Sequence, residues 1–314
     1  MFPIIPANSA AAVSGNKQGI FGFGNDGSNT AITNIVSNTG VVADDQAALT
    51  GTARHGNAGC EYGEDTGIFG FGGGAGYVGM TNLVSNAGVV ATDVSAVGTA
   101  RTKPGACSFG EYGSNKQGIF FGGSVGSAPW MYLSMTNIVS NAGVVALDVT
   151  GVGLARSSAI GCEYGEDTGI IGFGYPYGGP ATGVTNLVSN AGVVASDTAA
   201  VVGATGRSQA AGCSYGGDKG IIGFGHDGTG PCDITNLISN GGVVATDLTG
   251  VGTARTSIAA TQYGGNKGIF GYGNVEGATG NVSMTNKVSS AGVVADDTTG
   301  VGTARSEFGA CSFN

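Results

Sequence analysis

Apolar residues in this chain fall in short runs separated by glycine, asparagine and aspartate. Between positions 58 and 92 the runs are 58–62, 67–71, 80–84 and 88–92. They are rich in Ile, Val, Phe and Tyr, the residues that suit a pleated, half-buried surface. This pattern predicts four short strands joined by tight turns. No window of helical length keeps an uninterrupted 3.6-residue apolar period bounded by caps, so no helix is predicted.

The same succession of runs returns along the whole chain. Thr-Asn begins at positions 33, 81, 136, 185, 235 and 285, in steps of 48, 55, 49, 50 and 50 residues. All the arginines of the protein, Arg54, Arg101, Arg156, Arg207, Arg255 and Arg305, keep the same place in this repeat. Six units of about 50 residues therefore fill the chain. A unit of four short strands exposes two apolar faces and needs neighbours on both. The expected fold is all-β: a six-bladed β-propeller with four-stranded blades. A β-solenoid usually has a shorter rung, and an open array tends to need distinctive caps.

The ends of the chain predict how such a ring closes. Residues 302–305 and 310–313 repeat the arginine signature and the run after it, with no second run to follow. Near the start the corresponding copy is weak, with Pro6 at the arginine position and Ala12 at the cysteine position. Residues 306–313 are thus expected to complete the first blade, and 15–314 to form one propeller. Residues 1–14 are then an N-terminal extension. In the competing arrangement 10–14 form a weak first strand and the last strand is left over.

Composition narrows the chemistry. The formal net charge is −9, with 12 basic residues and no basic block, so a nucleic-acid partner is not expected. No apolar run reaches membrane-spanning length, so no membrane insertion is expected. The opening residues 1–15 lack the basic flank and long apolar run of a secretory signal. Cys60, Cys107, Cys162, Cys213 and Cys311 share one repeat position, Thr261 takes the sixth, and Cys232 lies elsewhere. They read as small buried residues on an inner strand, too far apart for disulfides. No CxxC or HExxH occurs, and neither a metal nor a cofactor is expected.

The order of Arg156, Ile170-Ile171-Gly172-Phe173-Gly174 and Val193-Val194 resembles a kelch repeat. Arg255, Ile269-Phe270-Gly271-Tyr272-Gly273 and Val293-Val294 resemble it again, and the likeness spans residues 9 to 313. It departs in having Gly-aromatic-Gly where kelch repeats usually have a double glycine, and valine pairs where they carry a tryptophan. The near-identical, glycine-rich units also resemble kelch-like structural proteins of tailed phages and other viruses. This resemblance implies a virion-surface or tail component; otherwise a soluble cytoplasmic or secreted protein is expected.

Candidate recognition residues lie where the repeat is least regular. The connections between the second and third runs, at 73–79, 123–134, 175–183, 226–233 and 274–283, vary in length and content. They hold Tyr77, Trp130, Met131, Tyr132, Tyr175 and Tyr177, which could stack on sugars or anchor a protein. Local packing of a longer loop is the plainer use. Asp45, Asp93, Asp148, Asp197, Asp247 and Asp297 each precede the next arginine by 8 to 10 residues. A turn is expected to pair each Asp with the Arg that follows it, as a structural ring. An arginine rim that binds an anionic group is the alternative. Glu61, Glu64 and Asp65, echoed by Glu163, Glu166 and Asp167, read as solvated hairpins. The sequence thus points to a non-enzymatic structural and protein-binding propeller with a protein assembly partner. Alternatives are a receptor-recognition module for surface glycans and a cryptic glycan hydrolase, for which no ordered triad is visible.

Overall fold

The computed structural model describes residues 17–46, 51–95, 97–126, 131–276 and 280–313. These residues form 22 strands in eight small antiparallel sheets, and no helix occurs among them. Trp130 and the N-terminal segment 1–14 fall outside the described residues.

Six of the sheets have three strands and follow the repeat. In the second repeat, strand a is Ala58–Tyr62, strand b is Thr66–Gly73 and strand c is Tyr77–Val84. Strand b lies between the other two and is buried on both faces, because neighbouring sheets cover it. In strand a burial alternates. Ala58, Cys60 and Tyr62 are buried between sheets, and Gly59 and Glu61 turn the other way, as a two-residue period requires.

The first repeat takes its strand a from the far end of the chain. Gly309–Phe313 pairs antiparallel with Gln18–Asn25, in register from Gln18 opposite Phe313 to Gly22 opposite Gly309. The a strands of successive repeats pack on one another, and Gly309–Phe313 packs on both Ala259–Tyr263 and Ala58–Tyr62. The alternative first strand at 10–14 lies outside the described residues.

The fourth run differs from expectation. It makes only isolated bridges, Val84 with Val90 and Thr81 with Val94 in the second repeat, and is no continuous strand. Its ladder is interrupted by a side chain. Asn82 Nδ2 donates to the Ala91 carbonyl at 3.0 Å and to Asp93 Oδ1 at 2.8 Å. The same pair of bonds recurs at Asn34, Asn137, Asn186, Asn236 and Asn286, all fully buried. The asparagine of Thr-Asn satisfies a carbonyl that a fourth strand would have given to a backbone N–H.

Packing between sheets explains two further regularities. All six cysteines are free and buried. The Cys60 sulfur rests on Gly118, at the start of the next strand b, and a methyl group there would overlap it. Facing rings also match in size. Gly22 faces Phe69 and Gly70 faces Phe120; in the third repeat Phe121 replaces the glycine and packs in one cluster with the smaller Ile171. Edge-to-face pairs such as Phe23–Phe69, with centroids 5.4 Å apart, fill the same seams.

Candidate functional site

All six arginines are fully buried. Arg54 Nε donates to the Phe71 carbonyl at 2.8 Å and Nη2 donates to Asn82 Oδ1 at 2.7 Å. Its guanidinium carbon sits 3.9 Å from the ring centre of Phe23, which belongs to the preceding repeat. All six arginines stack in this way on an aromatic ring of their neighbour. The backbone joins the same seam: Gly24 N–H donates to the Arg54 carbonyl at 2.9 Å, and Gly273 N–H to that of Arg305 at 3.0 Å. To reach it, the chain turns left-handed at Phe23, with φ of 67°.

The aspartate partner corrects the sequence expectation. Arg54 lies 3.9 Å from Asp93, the next of the six repeat aspartates, and not beside Asp45. Arg101 approaches Asp148 at 3.7 Å and Arg255 approaches Asp297 at 3.6 Å. Asp45 instead receives Thr303 N–H and hydroxyl and faces Arg305. The pairing therefore spans a whole repeat, because the fourth run returns beside the entry to its own strand a. Burial lowers the pKa of Arg54 to about 10, opposed by the charge of Asp93. Burial also raises the Asp93 pKa, but bonds from Thr52 and Asn82 and the charge of Arg54 outweigh it and hold it below 3.8.

A bowl of about 620 Å³ opens on the side of the connections between strands b and c. Its floor includes three of the residues that stand two places after an arginine, Lys103, Ser158 and Gln209; the other three, Gly56, Ser257 and Glu307, join them around an adjoining cavity. Lys103, Ser158, Gln209, Ser257 and Glu307 all hold φ between 51° and 56°, and Gly56 holds 61°. Backbone bonds link them head to tail: Gly56 N–H to Glu307 at 2.6 Å, Lys103 to Gly56 at 2.7 Å, Ser158 to Lys103 at 2.9 Å. Ser257 N–H to Gln209 at 2.8 Å and Glu307 N–H to Ser257 at 3.0 Å continue the series. Left-handed geometry costs a non-glycine residue about 1 kcal/mol or more, and five such residues gather here.

The floor side chains are ordered by their own bonds. Lys103 Nζ donates to Glu307 Oε1 at 2.8 Å, and His55 Nε2 lies 3.7 Å from Glu307 Oε2. Gln209 Oε1 accepts from the hydroxyls of Thr256 at 2.5 Å and Ser257 at 3.1 Å. His226 Nδ1 accepts from Gly228 N–H at 3.0 Å, which leaves its neutral proton on Nε2, 3.4 Å from Glu276.

The wall carries the tyrosines singled out by sequence. Tyr77, Tyr132 and Tyr175 line the bowl. Tyr132 meets Tyr175 and Tyr177 edge to face, with centroids 6.4 and 6.1 Å apart. Tyr77 donates its hydroxyl to the Gly126 carbonyl at 2.6 Å. Met131, 63% exposed, and Tyr177, 67% exposed, stand outside the residues that line the bowl. The floor residues were missed by sequence reading; their signal was position, two places after every arginine, with a different residue type in nearly every repeat.

On the opposite side, a narrow cavity is lined by strand a of all six sheets. Here Glu61 and Glu163 are no solvated hairpin. Both turn inward and face the Lys116 ammonium, which bonds Glu163, while Ser312 bonds Glu61. Burial is the main reason that the Glu61 pKa rises to about 7, against the charge of Lys116 and helped by that of Glu163. A raised folded-state pKa gives stability that is full below the unfolded value of about 4.5 and is lost as pH rises through about 7. Urea unfolding of the wild type is expected to weaken by roughly 1–3 kcal/mol between about pH 5 and about pH 8, and Glu61→Gln to flatten that slope. Equal slopes in the two proteins would contradict the assignment.

Among the described residues no group of three or more His, Cys, Asp or Glu is placed to hold a metal ion. No helix among them is long and apolar enough to cross a membrane. The chain matches no protein-family model, and no curated protein matches it.

Proposed function

We propose that the six sheets are the blades of a kelch-like propeller, and that the chain is a non-enzymatic recognition and assembly module whose binding site is the bowl. The propeller reading is supported by the a strands, which pack in sequence and return through Gly309–Phe313 to Ala58–Tyr62. In this architecture the arginine seams brace blade to blade, and the blade supplied from both chain ends closes the ring. A virion surface or tail is the setting implied by the resemblance to phage kelch-like proteins.

One observation carries the recognition reading. Tyr132 and Tyr175, from two successive repeats, meet edge to face on one wall of the bowl beside its polar side chains, and Tyr177 packs against Tyr132 from outside the lining. Aromatic anchors beside a concave polar surface are the usual carriers of binding energy. The test is binding of the full chain to its native assembly partner, mapped by cross-linking. Tyr132→Ala with Tyr175→Ala is expected to lower affinity about 30-fold or more, or ~2 kcal/mol, with unchanged thermal unfolding. Undiminished affinity, or cross-links confined to the opposite face, would reject the bowl as the site.

A further inference from the structure

We propose that the occupant of the bowl is a neutral oligosaccharide, a narrower claim that rests on the bowl being the recognition site. The lining is rich in hydrogen-bonding groups of both senses. Ser124, Ser157 and Ser208 bring hydroxyls to the bowl, and Gln209 has its carbonyl held by Thr256 and Ser257, which leaves its amide N–H groups to donate. A polyhydroxylated ligand presents the matching donors and acceptors on every edge. The faces of sugar rings are apolar C–H surfaces, and Tyr132 and Tyr175 offer flat rings beside these polar groups.

Charge decides against other small ligands. The one lysine in the lining, Lys103, is already neutralised by Glu307 at 2.8 Å, and every arginine is fully buried. Nothing among the lining residues offers an unpaired cation to a phosphate, sulfate or carboxylate. An apolar ligand would leave the hydroxyls and Gln209 without partners, a cost of the size of a lost hydrogen bond for each. The volume of about 620 Å³ suits an oligosaccharide end.

The floor geometry supplies a clean variant. Gln209 sits at φ of 56°, where glycine is unstrained, and Gly56 already occupies the equivalent place in another repeat. Gln209→Gly therefore removes the amide and keeps the backbone. The full chain is to be applied to an array of neutral hexose oligosaccharides and their sialylated and sulfated counterparts, and hits titrated by calorimetry. Neutral members are expected to bind, and acidic counterparts to bind no better. Gln209→Gly and Tyr175→Ala should each weaken binding about tenfold or more, measured well below the unfolding midpoint of each variant, because Gln209→Gly also forfeits the bonds from Thr256 and Ser257 while relieving the left-handed backbone. No neutral binding, preference for the acidic set, or indifference to both substitutions would overturn the inference. Periodate oxidation of the native partner separates the two claims. If capture survives oxidation and still depends on Tyr132 and Tyr175, the glycan inference fails and the recognition site stands. If capture is indifferent to both tyrosines, the site itself is refuted.

Discussion

A chain ending at Arg305 is expected to lose cooperative unfolding. The missing strand makes five backbone pairings with Gln18–Asn25, from Gln18 opposite Phe313 to Gly22 opposite Gly309. Cys311 and Phe313 are buried with Ile20, Phe23, Phe69 and Val84. Phe308 is buried with Phe21 and Tyr272, at the seam between the sixth and first repeats. Each buried phenylalanine contributes about 1.5–3 kcal/mol. Their loss is compounded by a strand b edge left without its partner and by two a strands that each lose a neighbour. The total is comparable to the ~5–15 kcal/mol that holds a typical domain together. Circular dichroism during urea unfolding is expected to show a broad, early transition, and a synthetic peptide of residues 306–314 added in trans should partly restore the sharp one. An unchanged midpoint and slope in the truncated chain would show that the first repeat does not depend on this strand.

What could be read from the sequence was what the fold uses six times. Arginine, the Thr-Asn pair and the cysteine position recur because each repeat meets its neighbour in the same way. The three strands that follow each signature were legible for the same reason. The fourth was overcounted, because a Gly-Val-Val run looks like a strand whether its carbonyl is met by a backbone N–H or by Asn82. The aspartate partner was misassigned because Asp45 is near Arg54 in sequence, and only the return of the chain places Asp93 there. Glu61 and Glu163 were read as solvated because their contact runs through Lys116, at a position that the next two repeats fill with Asp167 and Asp218. The bowl floor was hidden by its variety, since Lys103, Ser158 and Gln209 share a backbone conformation and no chemistry.

Arg54→Ala is expected to cost about 3–5 kcal/mol, more than any single substitution at its aspartate partner. The side chain is fully buried, and its removal strands the Phe71 carbonyl and Asn82 Oδ1 while opening a void against the Phe23 ring. Each stranded acceptor loses about 1–3 kcal/mol, and the void adds its own term. Asp93 is different. It stands 3.9 Å from the guanidinium with its side chain 26% exposed, so water screens the pair. A double-mutant cycle of Arg54→Ala with Asp93→Ala should return a coupling below about 1 kcal/mol, although Asp93→Ala alone also forfeits its bonds from Thr52 and Asn82. Arg54→Lys should recover little, since an ammonium cannot reproduce the fork or the stack. The repeats themselves provide the control. Arg207 has no partner for Nε, and its Nη2 reaches only the Ile222 carbonyl, at 3.3 Å. Arg207→Ala should therefore cost less than Arg54→Ala in the same unfolding measurement. Equal costs, or a strong Arg54–Asp93 coupling, would assign the brace to the ion pair instead of to the carbonyl, the asparagine and the ring.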